Sequence, residues 1–335
     1  MKDIDYAQCN VKVRIEEKKL LTDGQLRELI YAGDGRELRH LLVKTPYDMY
    51  LSEDQDPIGS TLMGLETDGG RVLSWAREIA PEPQIVDIFG LRKEYHNLKV
   101  LCKEEILGVS ADNMLLSGGM FSIDALRHAV KTGTSTLLPE EMLVAIRDVM
   151  DRSQEQKDVQ QVDVVFDRYY LRQIAAIAAE MEEEAVLSFV QYNADLFNIC
   201  VLLRANKQGY GRTFLQSVLS SAGKVAKSMW IEMRDKDLRA LTNSLLHSPY
   251  SDEVRQAIES ESGLVSIETF EIVRDNALTE YLKKAKLQAF GPLPLLAFLY
   301  AKETERKNMR IILKSRRAGF GRDVAERRLR YSYVI

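Results

Sequence analysis

Hydrophobic residues recur along most of this chain with the 3.6-residue period of an α-helix. The clearest stretches are Glu182–Arg204, Ile267–Phe290 and Leu295–Lys314, each of which places its apolar side chains on one broad face. Thr22 and Ser122 stand where helix N-caps are expected. We find no convincing run of alternating apolar and polar residues that would predict a strand. The pattern therefore predicts an all-α fold.

Composition supports this prediction. Eight prolines in 335 residues are about half of the usual share, which favours long uninterrupted helices. Apolar residues make up 45% and charged residues 29% of the chain, as in ordinary soluble globular proteins. The length suggests two or three domains.

One short pattern occurs three times: an acid, two residues, an asparagine, an apolar residue and, after four more, a base. The three copies begin at Glu94, Asp195 and Glu305, and their asparagines are Asn97, Asn198 and Asn308. A fourth, partial copy surrounds Asn10, where Ala7 replaces the acid. We call the pattern the acid–asparagine motif. Its three full copies are numbered copy one, copy two and copy three in chain order.

Each copy is followed by glycines and a second helical stretch. The glycine turns are predicted at Ser117–Met120, Gly209–Arg212 and Gly319–Arg322. Helices with acidic and aromatic residues, at Asp167 and Asp275, precede two of the asparagines by 31–33 residues. Such units can form an open array, or three of them can close with pseudo-threefold symmetry into a funnel.

The acid and the asparagine of each motif lie three residues apart and share one helix face. Asparagine is a poor helix former, so its recurrence inside helices needs a reason. We predict that the pairs serve the structure by capping or crossing a neighbouring helix, rather than by binding a ligand. The pairs are Glu94 with Asn97, Asp195 with Asn198, and Glu305 with Asn308.

Sequence signatures of catalysis are missing. Ser221–Lys224 lacks the upstream glycine of a phosphate-binding loop, and no Gly-x-Ser-x-Gly segment occurs. The histidines are not spaced for a shared metal: His40, His96, His128 and His247. We therefore predict no catalytic, cofactor-binding or metal-binding residues and no cofactor. Three widely spaced cysteines, Cys9, Cys102 and Cys200, are expected to be reduced and buried in a cytosolic protein.

Charge is distributed unevenly. The chain carries a net charge of −4, which argues against a general nucleic-acid binder. Lys302–Arg330, however, contains eleven basic and four acidic residues. The longest apolar stretch, Gly291–Ala301, contains two prolines and is too short to span a bilayer, so we expect any membrane role to pass through a partner.

The segment Gly291–Gly321 resembles the C-terminus of the V-type ATPase/ATP synthase C-subunit family of the bacterial and archaeal type, whose members are also called d subunits. That family ends in a helix of the pattern Pro-Leu…Tyr…Ala-Lys-Glu-x-Glu…Asn-hydrophobic-Arg-x-Ile…Lys, then a glycine turn and a basic helix. Asn10–Arg14 and Leu20–Thr22 resemble its opening. One residue departs from the pattern: Cys200 stands two residues after the asparagine of copy two, where the other two copies have a base.

The resemblance implies a non-catalytic, all-helical rotor subunit with three similar domains arranged as a funnel. The funnel would sit on the ring of membrane proteolipid subunits, at the cytoplasmic face, and receive the central shaft, so that rotation passes between them for ATP-coupled proton or sodium transport. We expect helical units at residues 1–95, 96–197 and 198–335, the last with the basic C-terminal helix.

The basic tail is the candidate surface for contact with acidic loops of the ring or shaft, although a solvated helix face explains it equally well. Its arginines are Arg316, Arg317, Arg322, Arg327, Arg328 and Arg330. The alternative function is a helical-repeat scaffold or adaptor that binds peptides. An enzyme ranks third, because it would need a pocket with converging ionisable groups.

Overall fold

The computed structural model describes residues 2–51, 56–116, 118–155 and 159–334. Within these ranges the regular secondary structure is helical, and the β-structure is limited to one isolated bridge between Ile258 and Val265. The prediction of an all-α fold is confirmed.

The chain forms two compact units, and each of two helices, α5 (Gln84–Leu107) and α14 (Ile267–Lys283), contains a boundary between them. The first unit comprises Met1–Val86 and Asp275–Ile335. Its helices are α1 (Lys2–Glu17), α2 (Asp23–Tyr31), α3 (Gly35–Leu42), α4 (Pro57–Ile79), α15 (Leu293–Arg317) and α16 (Arg322–Glu326), with the end of α14 (Ile267–Lys283). A core of leucine and isoleucine side chains from α2 and α3 packs with Met309, Ile312 and Leu313 of α15.

The second unit comprises Asp87–Arg274. Its helices are α5 (Gln84–Leu107), α6 (Ile123–Thr132), α7 (Glu140–Glu155), α8 (Val159–Glu180), α9 (Glu184–Gln208), α10 (Arg212–Val218), α11 (Lys227–Glu232), α12 (Leu238–Leu246) and α13 (Ser251–Gln256), with the start of α14.

Two of the predicted helix starts are formed as expected. The Thr22 hydroxyl accepts the Gln25 N–H, and the Gln25 side chain reaches back to the Thr22 backbone, which makes a capping box at α2. Ser122 caps α6 in the same way by accepting the Ala125 N–H. The three cysteines are buried and form no disulfide, and burial raises the pKa of the Cys9 thiol to about 11.

Helix α9 has the length and apolar composition of a membrane-crossing helix, and no other helix in the described parts of the chain does. However, 72% of its most apolar window is buried inside the protein, which is typical of a core helix.

The three motif helices α5, α9 and α15 end nine or ten residues after their asparagines. A glycine in the left-handed conformation follows eleven residues after each asparagine: Gly108 (φ 68°), Gly209 (φ 76°) and Gly319 (φ 70°). In copy one the glycine at this position is Gly108. The predicted glycine turn, Ser117–Met120, does lie before α6, with Gly118 at φ 69°; Ser117 itself lies outside the described residues. After Gly108 a 3-10 turn, Asp112–Met114, stands in place of the second helix. The sequence of this segment therefore shows no helical pattern.

A second difference concerns the predicted helix Ile267–Phe290. Helix α14 ends at Lys283 and is followed by a 3-10 turn, Lys284–Leu287. The carbonyl groups of Ala285 and Gln288 accept hydrogen bonds from Arg14 of α1 instead of from a further helical turn.

Replacing Gly209 by alanine should lower the free energy of unfolding by about 1–2 kcal/mol, because an L-residue is strained at φ 76°. Gly70, inside α4 with open space around its Cα, is the matched control. Gly70→Ala should raise stability by about 1 kcal/mol. Denaturant midpoints measure both changes, and a neutral Gly209→Ala would contradict the assigned turn.

Candidate functional site

The three motif asparagines are fully buried, and each one binds both backbone groups of a single residue further along the chain. Asn97 is paired with Leu116, Asn198 with Ser220 and Asn308 with Arg330. In every pair the amide nitrogen donates to the carbonyl oxygen at 2.9 Å. The backbone N–H of the same residue donates to the asparagine oxygen at 2.8, 2.8 and 2.9 Å, respectively.

The same side-chain contact thus fixes the loop after the second helical stretch in all three copies. The paired residue follows the asparagine by 19 positions in copy one and by 22 in copies two and three. The three-residue difference accompanies the replacement of a second helix by the 3-10 turn in copy one.

The motif acids hold the entrance to the next helix. Glu94 accepts the Met120 N–H at 2.5 Å, Asp195 accepts the Lys224 N–H at 2.7 Å, and Glu305 accepts the Leu21 N–H at 2.5 Å. These donors stand one or two residues before the N-caps of α6, α11 and α2.

Glycine is required beside two of these carboxylates. A Cβ on Gly119 would overlap the carboxylate of Glu94, and a Cβ on Gly223 would overlap that of Asp195. The backbone can approach the acid this closely only without a side chain. Packing against Asp195 thus explains the glycine at position 223, which lies in the segment Ser221–Lys224 that does not form a phosphate-binding loop.

Copies two and three share a further element that sequence reasoning missed. Tyr47 follows Thr45-Pro46, and Tyr250 follows Ser248-Pro249. In each, the Ser or Thr hydroxyl accepts the tyrosine N–H at 3.2 Å. Tyr47 donates its hydroxyl to Glu305 at 2.7 Å, and Tyr250 donates to Asp195 at 2.5 Å. The recurring Ser/Thr-Pro-Tyr sequence is the signal that could have found them.

Copy one lacks this tyrosine. Ser135 makes the same turn by accepting the Leu137 N–H at 3.1 Å, but Leu137 is 67% exposed. Within the described residues the Oε2 atom of buried Glu94 has no hydrogen-bond partner. Burial raises the pKa of Glu94, and it also raises the pKa of Asp195 although Tyr250 and backbone N–H groups oppose the shift there.

Copy three is completed by both ends of the chain. The Ser332 hydroxyl donates to the Leu21 carbonyl at 2.5 Å, and the Ser332 N–H donates to Asp23 at 2.9 Å. In copies one and two, the residue bound by the asparagine and the residue bound by the acid belong to the same loop of the chain. In copy three the hydrogen bonds of Ser332 bridge the break between the C-terminal residues and α2.

A buried charge cluster surrounds the acid of copy three. Lys302 is bound to Glu305 at 2.7 Å and lies 3.3 Å from Asp68 of α4, and Asp68 also accepts from Arg71 at 2.6 Å. Burial, together with Glu305 and the neighbouring Asp68, raises the pKa of Tyr47 well above its ordinary value, so its hydroxyl stays protonated as a donor. Because each buried charge has an opposite partner, removal of one partner would be costly.

Ion pairs connect the motif helices to the helices that precede the motifs. Lys99 of α5 pairs with Asp167 of α8 at 2.5 Å, Arg204 of α9 pairs with Glu271 of α14, and Arg310 of α15 pairs with Glu66 of α4. Each pair lies within one compact unit. In every case the motif helix of one copy meets the helix that precedes the motif of another copy.

The six candidate arginines fall into two groups. Arg316 donates to the carbonyls of Ile30 and Ala32, and Arg330 is bound to Asp275 at 2.8 Å with 10% of its side chain exposed. These two hold parts of the first unit together. The other four are exposed: Arg317, Arg322, Arg327 and Arg328. Arg327 is paired with Asp323 at 2.7 Å.

Within the described ranges no three histidine, cysteine or acidic side chains converge as metal ligands. The recurring site is instead a set of hydrogen bonds that fasten loops to long helices, in an all-helical protein of repeated motifs.

The chain belongs to the ATP synthase (C/AC39) subunit family, whose model matches residues 9–328. It is 31% identical over 332 residues to the C subunit of the V-type sodium ATPase of Enterococcus hirae, a match that covers 99% of this chain and 100% of that protein. It is 24% identical to the C subunit of the A-type ATP synthase of Methanocaldococcus jannaschii, over 93% of this chain and 82% of that protein. The C subunit of the V-type ATP synthase of Thermus thermophilus is 23% identical, over 95% of both chains.

These comparisons confirm the family resemblance of the sequence. The chain is a structural, non-catalytic subunit of a V-type or A-type rotary ATPase, and its relatives are subunits of a membrane-associated complex. They favour this class over the scaffold and enzyme alternatives.

The structural role of the polar pairs stays a prediction that mutation can test. Asn198→Ala should lower the free energy of unfolding by about 2–4 kcal/mol, because it leaves the N–H and C=O of Ser220 without partners in a buried site. Asn113→Ala, at an exposed position, should change stability by less than about 0.5 kcal/mol. Equal stability of the two variants in urea unfolding would show that the pair does not hold the fold.

Proposed function

We propose that this chain is the central-rotor component that links the membrane proteolipid ring to the central shaft and transmits rotation for ATP-coupled proton or sodium transport. In this proposal it is peripheral to the membrane, lies at the cytoplasmic face and forms a socket for the shaft. Membership of the ATP synthase (C/AC39) subunit family supports a mechanical role.

The three ion pairs between copies carry the proposal. Copy one meets copy two through Lys99 and Asp167, and copy two meets copy three through Arg204 and Glu271. Copy three meets copy one through Arg310 and Glu66. Three similar modules that each bind the next, with the last bound to the first, would close into a pseudo-threefold funnel.

A closed set suits the transmission of torque for a physical reason. In an open array the end modules lack one neighbour, whereas in a closed set each module is held on both sides. A twisting load at one rim would then be carried by the covalent chain and by the ion pairs together.

The exposed arginines of the C-terminal tail are the proposed partner-contact surface. Only side chains that reach solvent can meet another subunit, so Arg317, Arg322, Arg327 and Arg328 carry this role, while Arg316 and Arg330 are engaged inside the unit. Opposite charges on a partner would steer assembly and fix orientation.

Charge reversal of this surface should uncouple the complex. Arg317→Glu with Arg328→Glu should weaken the association of the chain with its partner subunits about tenfold, a loss of contact energy of about 1.4 kcal/mol, and should thereby lower the number of ions transported per ATP hydrolysed by the assembled ATPase. The matched control is Lys131→Glu with Arg239→Glu, two exposed bases of the second unit. Unchanged denaturant midpoints establish that both variants fold, and equal coupling in the two variants would refute the contact role of the tail.

A further inference from the structure

The connection between α14 and α15 is longer than its counterparts. Four residues join α4 to α5 and three join α8 to α9, whereas nine residues, Lys284–Pro292, join α14 to α15. Gly291 within it takes the left-handed conformation, with φ 76°. Copy three therefore has an elaboration at a junction that the other copies close with a tight turn.

Helix α1 fixes this connection in place. Buried Asn10 donates to the carbonyls of Ala289 and Gly291, both at 3.1 Å. Arg14 donates to the carbonyls of Ala285 and Gln288 at 2.5 and 2.9 Å, and Glu17 holds the Arg14 guanidinium at 2.7 Å. With four of its carbonyl groups bound, the connection has a defined conformation rather than that of a loose loop.

The connection presents large apolar side chains to solvent. Leu287 is 93% exposed, the largest value among the exposed large hydrophobic residues of the described chain, and Phe290 is 55% exposed. Helix α1 adds Val11 and Ile15, at 62% and 55%, which directly follow Asn10 and Arg14 in sequence. Several large apolar side chains exposed on a fixed backbone mark a candidate interaction surface.

The segment that carries Leu287 and Phe290 is basic, and its nearest acids are Glu17 and Glu280. Lys283, Lys284 and Lys286 stand in the eight residues Lys283–Phe290, which contain no acid. Lys283 is paired with Glu280 at 2.6 Å, whereas Lys284 and Lys286 lie over the rings of Tyr281 and Tyr333 and are exposed. Ring contacts of this kind leave the ammonium charge available to an anion.

We propose that this segment, supported by α1, inserts Leu287 and Phe290 among the headgroups of a bilayer that contains anionic lipids. Apolar side chains beside lysines match such a surface, since the acyl region takes the apolar groups and the lipid phosphates attract the ammonium groups. The inference rests on one part of the proposed function, the location of the chain at a membrane face. The inference does not rest on the torque role.

Vesicle co-sedimentation of the full chain tests this inference. The wild type should bind vesicles of phosphatidylcholine with 30% phosphatidylglycerol at 0.1 M salt, and bind at least tenfold more weakly to phosphatidylcholine alone. Leu287→Ser with Phe290→Ser should weaken binding to the anionic vesicles at least tenfold, and Lys284→Gln with Lys286→Gln should do the same. Raising the salt to 0.5 M should also weaken binding, because the charges are screened.

Val109→Ser with Leu137→Ser, two exposed apolar positions of the second unit, is the matched control and should bind like the wild type. Failure of the wild type to bind anionic vesicles, or equal binding by the Leu287/Phe290 variant, would overturn the proposal. If vesicles are not bound but that variant no longer associates with the detergent-solubilised membrane sector, the surface serves a protein partner and the lipid proposal is likewise overturned.

Discussion

A loop that packs against a buried helix must have its own backbone N–H and C=O groups satisfied, because no water reaches them. In this protein a single side chain meets that need three times. The amide of Asn97, Asn198 or Asn308 uses one N–H donor and its oxygen acceptor, and these bind the C=O and the N–H of one loop residue. The acid one helical turn earlier then fixes the entrance to the next helix. The positions of the helices that follow each long helix depend on these contacts.

Copy three makes the same contacts although their residues are far apart in the sequence. Its loop residue, Arg330, lies near the C-terminus, and the N–H that binds its acid belongs to Leu21 near the other end of the chain. Ser332 joins the two ends through hydrogen bonds. Buried Lys302 adds a charge partner for Glu305 that the other two acids do not have within the described residues. This copy, which lacks a continuous backbone at that point, therefore carries more polar contacts.

Much of this arrangement could be predicted from the sequence, because recurrence is visible in residue types. A poor helix former such as asparagine stands out inside three apolar helices, and Gly209 and Gly319 mark two of the helix ends. Gly108 was missed because the segment after it forms only a 3-10 turn, so the pattern that follows the other two glycines is absent. The tyrosine partners of two acids were missed because Tyr47 and Tyr250 are distant in sequence from the acids that they bind.

Tertiary structure decides the remaining points, and sequence reasoning could not reach them. Six arginines of the tail look alike in sequence, yet Arg316 and Arg330 bind groups of the first unit and the other four reach solvent. The shortening of α14 depends on Arg14, some 270 residues away in the sequence. Such contacts leave no local pattern to detect.

Hydrogen exchange of individual amides is the most direct test of the account. Six of the N–H groups that bind a motif side chain serve the test: those of Leu116, Ser220 and Arg330 bind asparagines, and those of Met120, Lys224 and Leu21 bind acids. All six should exchange much more slowly than other loop amides, although they lie outside helices. Rapid exchange at Arg330 and Leu21, with slow exchange at the other four, would contradict the claim that both ends of the chain complete the third copy.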